Sequence, residues 1–174
     1  MVSQEAGWLL VSFLVRVGKG EEPSKPSLRR EGMKMGIRAL IVDDSAAMRS
    51  VVKKILLLSG ADVSQCMEAS DGIEALEILS REWVDVILTD IHMPGMDGME
   101  LLERLKEDDM LGKIPVVLIT TESRKEIVAR AASLGAKAHV KKPFQPETIR
   151  KVLETIMGKE FARGNVTSIE GSDF

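Results

Sequence analysis

Five times between Arg38 and Ile156 the chain switches its hydrophobic period, from a short apolar run to a segment with apolar residues three or four apart. That alternation constrains the fold more than any single residue. A strand places successive side chains on opposite faces, whereas a helix gathers residues three or four apart onto one face. "RALIVD" reads as a buried strand, and Ser45 is placed to cap a helix carrying Met48, Val52, Ile55 and Leu56. "VSQCME" is a weaker, mixed strand, followed by a helix from about Asp71 with Ile73, Leu76 and Leu79 on one face. "DVILTD" is nearly continuous in apolar residues and precedes a helix with Met99, Leu102 and Leu105. "IPVVLIT" tolerates Pro115 near its first position. Its helix carries Ile127, Ala131 and Leu134 and ends at Gly135. A short "AHVK" strand and a helix with Ile149, Val152, Leu153 and Ile156 complete the series. Strands apolar on both faces, alternating with amphipathic helices, predict an α/β doubly wound fold: a five-stranded parallel sheet with helices on both faces.

Three domains of behaviour are expected along the chain. Residues 1–36 hold a short apolar patch, Trp8 to Val15, and then a polar stretch rich in Gly, Glu, Pro, Ser, Lys and Arg; they read as a poorly ordered extension. The patch is shorter than the about 20 residues a membrane span needs. It also lacks a basic leader, so it does not read as a secretory signal. Arg29-Arg30-Glu31-Gly32 can be encoded by an unbroken purine run of ribosome-binding composition, which raises the expectation that translation starts at Met33 or Met35. An intact mass retaining Met1 or Val2 would remove that expectation. Residues 37–157 form the folded domain, and 158–174 read as a flexible tail too short for a DNA-binding or catalytic unit.

Composition excludes several function classes. A formal charge of −3 and a pI near 5.5 give neither a nucleic-acid footprint nor a polybasic membrane surface. Aromatics make up 3% with no Tyr, which leaves little for base or sugar stacking. The single cysteine, Cys66, permits no internal disulfide and no CxxC metal site, which fits a reducing cytoplasm; Cys66 itself reads as core.

In an open α/β sheet, ligands bind outside the carboxyl ends of the strands, where strand order reverses. The first strand presents Asp43 and Asp44 there, the third Asp90, the fourth Thr120 and the fifth Lys142. The second presents only Glu68 and Ala69, as expected of an edge strand beyond the crevice. Three carboxylates and one ammonium sum to −2, and like charges that close would drive some carboxylates to protonate. One dication removes the excess, and an oxygen-only donor set suits Mg²⁺ better than zinc. Asp90 beside a metal and a lysine is an oxygen nucleophile suited to accept a phosphoryl group as an aspartyl phosphate. Lys142 and the metal would neutralise charge on that group, and Thr120 would donate to one of its oxygens. The "MPGMDG" turn after Asp90 keeps the chain from becoming helix at once and leaves room for phosphate.

From Ile37 to Met157, "LIVDDS", "ILTDIHMPGMDG", "VVLITTES" and "VKKPF" occur in the order found in the response-regulator receiver domains of two-component signalling, and the chain resembles their single-domain CheY-like type. The resemblance implies a flavodoxin-like strand order 2-1-3-4-5, and CheY is itself a standard example of the doubly wound rule applied above. It implies that Asp90 is the phosphoacceptor, that Asp44 and Asp90 ligate Mg²⁺ directly, that Asp43 does so through water, and that the backbone carbonyl of His92 is a further ligand. Thr120 and Lys142 match the phosphoryl-sensing pair, Lys142-Pro143 the family's cis peptide, and His139 the aromatic switch position. His139 departs from the more usual Tyr or Phe there. His92 and Glu122, each two residues past a key position, flank phosphate access, and Glu122 is expected to position or repel the attacking water. Partners implied are a histidine kinase and a downstream protein, such as a motor switch or a phosphotransfer domain, with a homodimer when phosphorylated also open; no nucleic acid and no membrane is expected.

Rival readings fail on particular residues. A haloacid-dehalogenase-type phosphohydrolase needs an aspartate two residues after the nucleophile, where His92 stands, and places its acidic pair last rather than first. A nucleotide or flavin protein needs a glycine-rich phosphate loop after the first strand, but "DDSAAM" is acidic and has no glycine. A phosphorelay shuttle and a phosphate-independent receiver-like adaptor remain open alternatives to a chemotaxis or motility output.

Overall fold

In the computed structural model, residues 36–158 are described. The expectations for the extension before Gly36 and the tail beyond Gly158 fall outside these residues. The element order is β1 (Ile37–Val42), α1 (Ala46–Leu58), β2 (Val63–Ala69), α2 (Gly72–Leu79), β3 (Val86–Thr89), α3 (Gly98–Glu107), a 3-10 turn (Leu111–Lys113), β4 (Val116–Thr120), α4 (Lys125–Ser133), β5 (Ala136–Lys141) and α5 (Pro146–Met157). The strands form one parallel sheet in the order β2-β1-β3-β4-β5. Strand order therefore reverses between β1 and β3, so the ends of these two strands open onto one crevice.

Alternation along each strand divides the core in two. On one side, Leu40, Val42, Ile87, Val116 and Leu118 meet Ala75 and Leu79 of α2, Leu101, Leu102 and Leu105 of α3, and Ala131 of α4. On the other, Ile37, Ala39, Ile41, Leu88, Val117 and Ile119 meet Val52 and Leu56 of α1 and Ile149 and Leu153 of α5. All four residues of β3 and all five of β4 are buried, which explains why these segments read as unbroken apolar runs.

Local signals set the helix ends. Ser45 accepts the Met48 N–H at 3.3 Å and starts α1, while Asp71 accepts the Glu74 N–H at 2.9 Å and starts α2. α3 begins with a reciprocal pair: Asp97 accepts the Glu100 N–H at 2.9 Å, and the Glu100 carboxylate accepts the Asp97 N–H at 3.0 Å. Three details differ from expectation. Ile73 lies on the open side of α2, which turns Gly72 and Ala75 inward beside the expected Leu79. Leu134 falls just past the last turn of α4, and Gly135 completes the stop with φ of 112°. Cys66 is only half-buried, because β2 is the sheet edge and its middle residues meet water.

Candidate functional site

Asp43, Asp90 and Lys142 are each held by a backbone bond to the neighbouring strand at its carboxyl end. The Asp43 N–H donates to the Ala69 carbonyl at 3.1 Å, the Asp90 N–H to the Val42 carbonyl at 2.9 Å, and the Lys142 N–H to the Thr120 carbonyl at 2.9 Å. The parallel ladder thus runs one residue beyond each strand and fixes where these side chains start. Lys142-Pro143 is a cis peptide, as the resemblance implied.

The side chains of β1, β3 and β5 converge. The Lys142 ammonium donates to Asp43 Oδ2 at 2.8 Å and to Asp90 Oδ2 at 2.7 Å, and the Lys142 side chain is 10% exposed. The other oxygen of Asp43 accepts the Ser45 N–H at 2.9 Å, and that of Asp90 accepts the Ile91 N–H at 2.6 Å and the His92 N–H at 3.3 Å. Thr120 is fully buried at the end of β4, and its hydroxyl accepts the Glu122 N–H at 3.2 Å. Asp44 stands exposed at the rim.

Burial opposes ionisation of Asp90, yet the Lys142 ammonium, the Thr120 hydroxyl and the His92 N–H outweigh it and hold its pKa below the usual carboxylate value. Burial likewise disfavours the charged form of Lys142, but Asp43 and Asp90 more than compensate and push its pKa up. At neutral pH the acceptor is therefore an anion and its neighbour a cation.

The loop after β3 has to turn back sharply to leave Asp90 accessible. Gly95 takes φ of 79°, and the Gly98 N–H donates to the Ile91 carbonyl at 2.9 Å. A side chain at Gly98 would collide with the Asp90 carbonyl oxygen, so only glycine lets α3 begin this close to the acceptor.

Opposite this loop, the β4–α4 loop folds on itself around Glu122, whose side chain is 7% exposed. Glu122 Oε1 accepts from the Ser123 N–H at 2.9 Å, the Arg124 N–H at 2.8 Å and Arg124 Nε at 3.0 Å. Oε2 meets Arg124 Nη2 at 2.6 Å and His92 Nε2 at 3.3 Å. The Arg124 guanidinium, followed by its N–H, holds the Glu122 carboxyl far below its usual range. His139 Nε2 lies 3.0 Å from the Glu122 carbonyl oxygen, which ties β5 to the same loop. The two histidines thus converge on one residue, although sequence spacing gave no reason to pair them.

On the β2 side, Arg49 Nη1 donates to the Asp43 carbonyl at 2.7 Å, while Arg49 Nε and Lys53 Nζ reach the Glu68 carboxylate at 3.3 and 3.1 Å. Lys53, together with Arg49, holds the Glu68 carboxyl below its usual range. Sequence reasoning passed over Arg49 and Arg124; the signal available was a basic residue shortly after each polar strand end.

Among the described residues, no group of three or more His, Cys, Asp or Glu is arranged to hold an ion as it stands. Lys142 is placed between Asp43 and Asp90 and supplies part of the positive charge they require. The donor chemistry still fits a hard dication. Asp43, Asp44 and Asp90 offer oxygen only, the pocket keeps a net negative charge after Lys142, and the imidazole of His92 is turned to Glu122.

Residues 39–154 match the family model of the response regulator receiver domain. Chemotaxis protein CheY-3 of Vibrio cholerae is 38% identical over 120 residues, covering 69% of this chain and 91% of the relative. A chemotaxis protein CheY homolog of Campylobacter jejuni is 34% identical over 129 residues, covering 74% and 98%. Among solved structures, the chemotaxis protein CheY4 of Vibrio cholerae superposes with a TM-score of 0.64 at 32% identity, over 70% of this chain and 99% of that one. A CheY-like receiver domain protein from Methanospirillum hungatei gives 0.60 at 30% identity, over 70% and 94%.

Proposed function

We propose that this chain, which belongs to the response regulator receiver domain family, accepts a phosphoryl group on Asp90 and signals by phosphorylation-dependent protein binding. The observation that carries the reading is the Lys142 ammonium bonded at once to Asp43 and Asp90, with Thr120 buried alongside. A nucleophile already ionised and a cation already in place are what phosphoryl transfer to a carboxylate requires.

The donor is a phosphohistidine of a histidine kinase. A carboxylate oxygen of Asp90 attacks phosphorus; the new O–P bond forms as the P–N bond breaks, and the imidazole leaves with its electron pair and takes a proton from water. Lys142 moves from pairing two carboxylates to pairing Asp43 and the phosphoryl oxygens, so its charge is retained through the transfer. The Thr120 hydroxyl, released from the Glu122 N–H, donates to a phosphoryl oxygen. Asp43, Asp44, Asp90 and the His92 carbonyl would hold Mg²⁺, which when bound neutralises charge on the group in flight. Movement of Thr120 pulls on the β4–α4 loop, and His139, bonded to that loop through the Glu122 carbonyl, carries the change to β5.

The names of the CheY relatives support a chemotaxis or motility output, delivered to a protein target such as a motor switch. Location in the cytoplasm, where a kinase and such a target would meet the chain, belongs to the same reading; no helix among the described residues is long and apolar enough to cross a membrane.

The test is to treat the protein with acetyl phosphate, reduce it with borohydride and map the product by peptide mass. An acyl phosphate at Asp90 is converted there to homoserine. Modification at any other residue, or none at Asp90, overturns the assignment.

A further inference from the structure

Glu122 sets a problem for a site that must take up phosphate. Its carboxylate stands on the loop beside the acceptor, two residues past Thr120, and an anion there would repel an anionic donor. The structure shows how that charge is managed. Arg124 grips both carboxylate oxygens, with contacts at 3.0, 3.1 and 2.6 Å, and its own N–H adds a further bond to Oε1. His92, from the loop on the other side of the acceptor, takes the outer edge of Oε2. The Arg124 side chain is 67% exposed and lies over a carboxylate that is itself buried.

We propose that Arg124 is a positioning residue for the phosphoacceptor site, holding the Glu122 carboxylate folded and neutralised so that anionic phosphodonors can approach Asp90. The inference rests on the phosphoacceptor reading above. Arg124 also satisfies a nearly buried carboxylate and so serves the fold, but a role in the fold alone predicts no effect of salt on phosphoryl uptake. The guanidinium held over one carboxylate at the mouth of an anion site does more: it offsets the charge an incoming phosphate meets. When Arg124 is lost, the carboxylate keeps its proximity to Asp90 but loses its counter-charge.

Electrostatic control predicts a dependence on Glu122 that packing does not. The experiment measures the rate of phosphorylation by acetyl phosphate, and separately the rate at which the group is lost to water, for wild type, Arg124→Ala, Arg124→Lys, Glu122→Gln and Arg124→Ala with Glu122→Gln. Arg124→Ala is expected to slow phosphorylation roughly fivefold at low salt, the scale of one unit charge acting near the site through a partly solvated medium. The deficit shrinks at high salt. Arg124→Lys recovers part of the rate, because the charge returns without the two-pronged grip. Loss of the group to water, a neutral nucleophile, changes less than uptake does. In the Glu122→Gln background the exposed guanidinium is no longer held over the site, so removing Arg124 has little further effect on uptake. An equal deficit with and without Glu122, or no salt dependence, overturns the proposal while leaving the acceptor assignment standing. A wild type that takes no phosphoryl group overturns both.

Discussion

Replacing Lys142 by Met removes the one ammonium that joins Asp43 and Asp90 and keeps most of the side-chain volume. The two side chains it serves are 5% and 14% exposed, so water offers them little substitute. Breaking a buried pair by removing one partner costs ~3–5 kcal/mol, and slight exposure at the crevice mouth brings the expected loss to about 2–4 kcal/mol at pH 7 without divalent ions. Urea unfolding read by far-UV circular dichroism measures it.

The pH dependence identifies the cause of this loss. In wild type the Asp90 pKa is lowered by folding, so its contribution is present above the unfolded carboxylate value near ~3.9 and is lost as pH falls through the folded value. The Lys142 pKa is raised, so its contribution is complete below the unfolded value near ~10.4 and is lost as pH rises through the folded one. Wild-type stability from this group is therefore flat from about pH 5 to 9. In Lys142→Met the buried carboxylates repel one another, and protonation relieves them, so the gap to wild type narrows as pH falls below about 5. Added Mg²⁺ supplies the missing charge and stabilises the variant more than wild type. A loss under about 1 kcal/mol at pH 7, or a gap independent of pH, would show that Lys142 acts by packing its methylenes and refute the electrostatic account.

Other substitutions probe the scaffold. Gly98→Ala drives a methyl into the Asp90 carbonyl oxygen and should cost ~2–3 kcal/mol in denaturant unfolding, whereas Gly72→Ala first meets atoms of the Met96 side chain rather than backbone and should cost less. Asp97→Ala removes the reciprocal cap of α3 and should cost about 1–2 kcal/mol, read from the same unfolding curves, with faster amide exchange in the first turn of α3. Leu101→Ala, at a fully buried position, should lower stability by about 2–5 kcal/mol through the cavity it leaves.

Sequence carried the architecture because burial on both faces of β3 and β4 writes itself as unbroken apolar runs, and because parallel strands place their following residues at one edge. Asp43, Asp90, Thr120 and Lys142 could be grouped for that reason alone. The placement of Ile73 and Cys66 could not, since which face of α2 is covered and which strand lies at the edge depend on neighbours far along the chain. The same holds for Glu122. Two residues past Thr120 located its backbone, but the direction of its carboxylate was set by Arg124 and His92, long side chains whose pairing follows from loop geometry. Without the resemblance, His139 reads as a plain half-buried strand residue; its bond to the Glu122 carbonyl required the register of β4 against β5.

The central claim is tested most directly by intact-mass measurement after incubation with acetyl phosphate, with and without Mg²⁺, on wild type and Asp90→Asn. One metal-dependent phosphoryl adduct on wild type and none on Asp90→Asn is the expected result. An adduct that persists in Asp90→Asn, or a folded wild type that binds Mg²⁺ and gains no mass, would contradict the account.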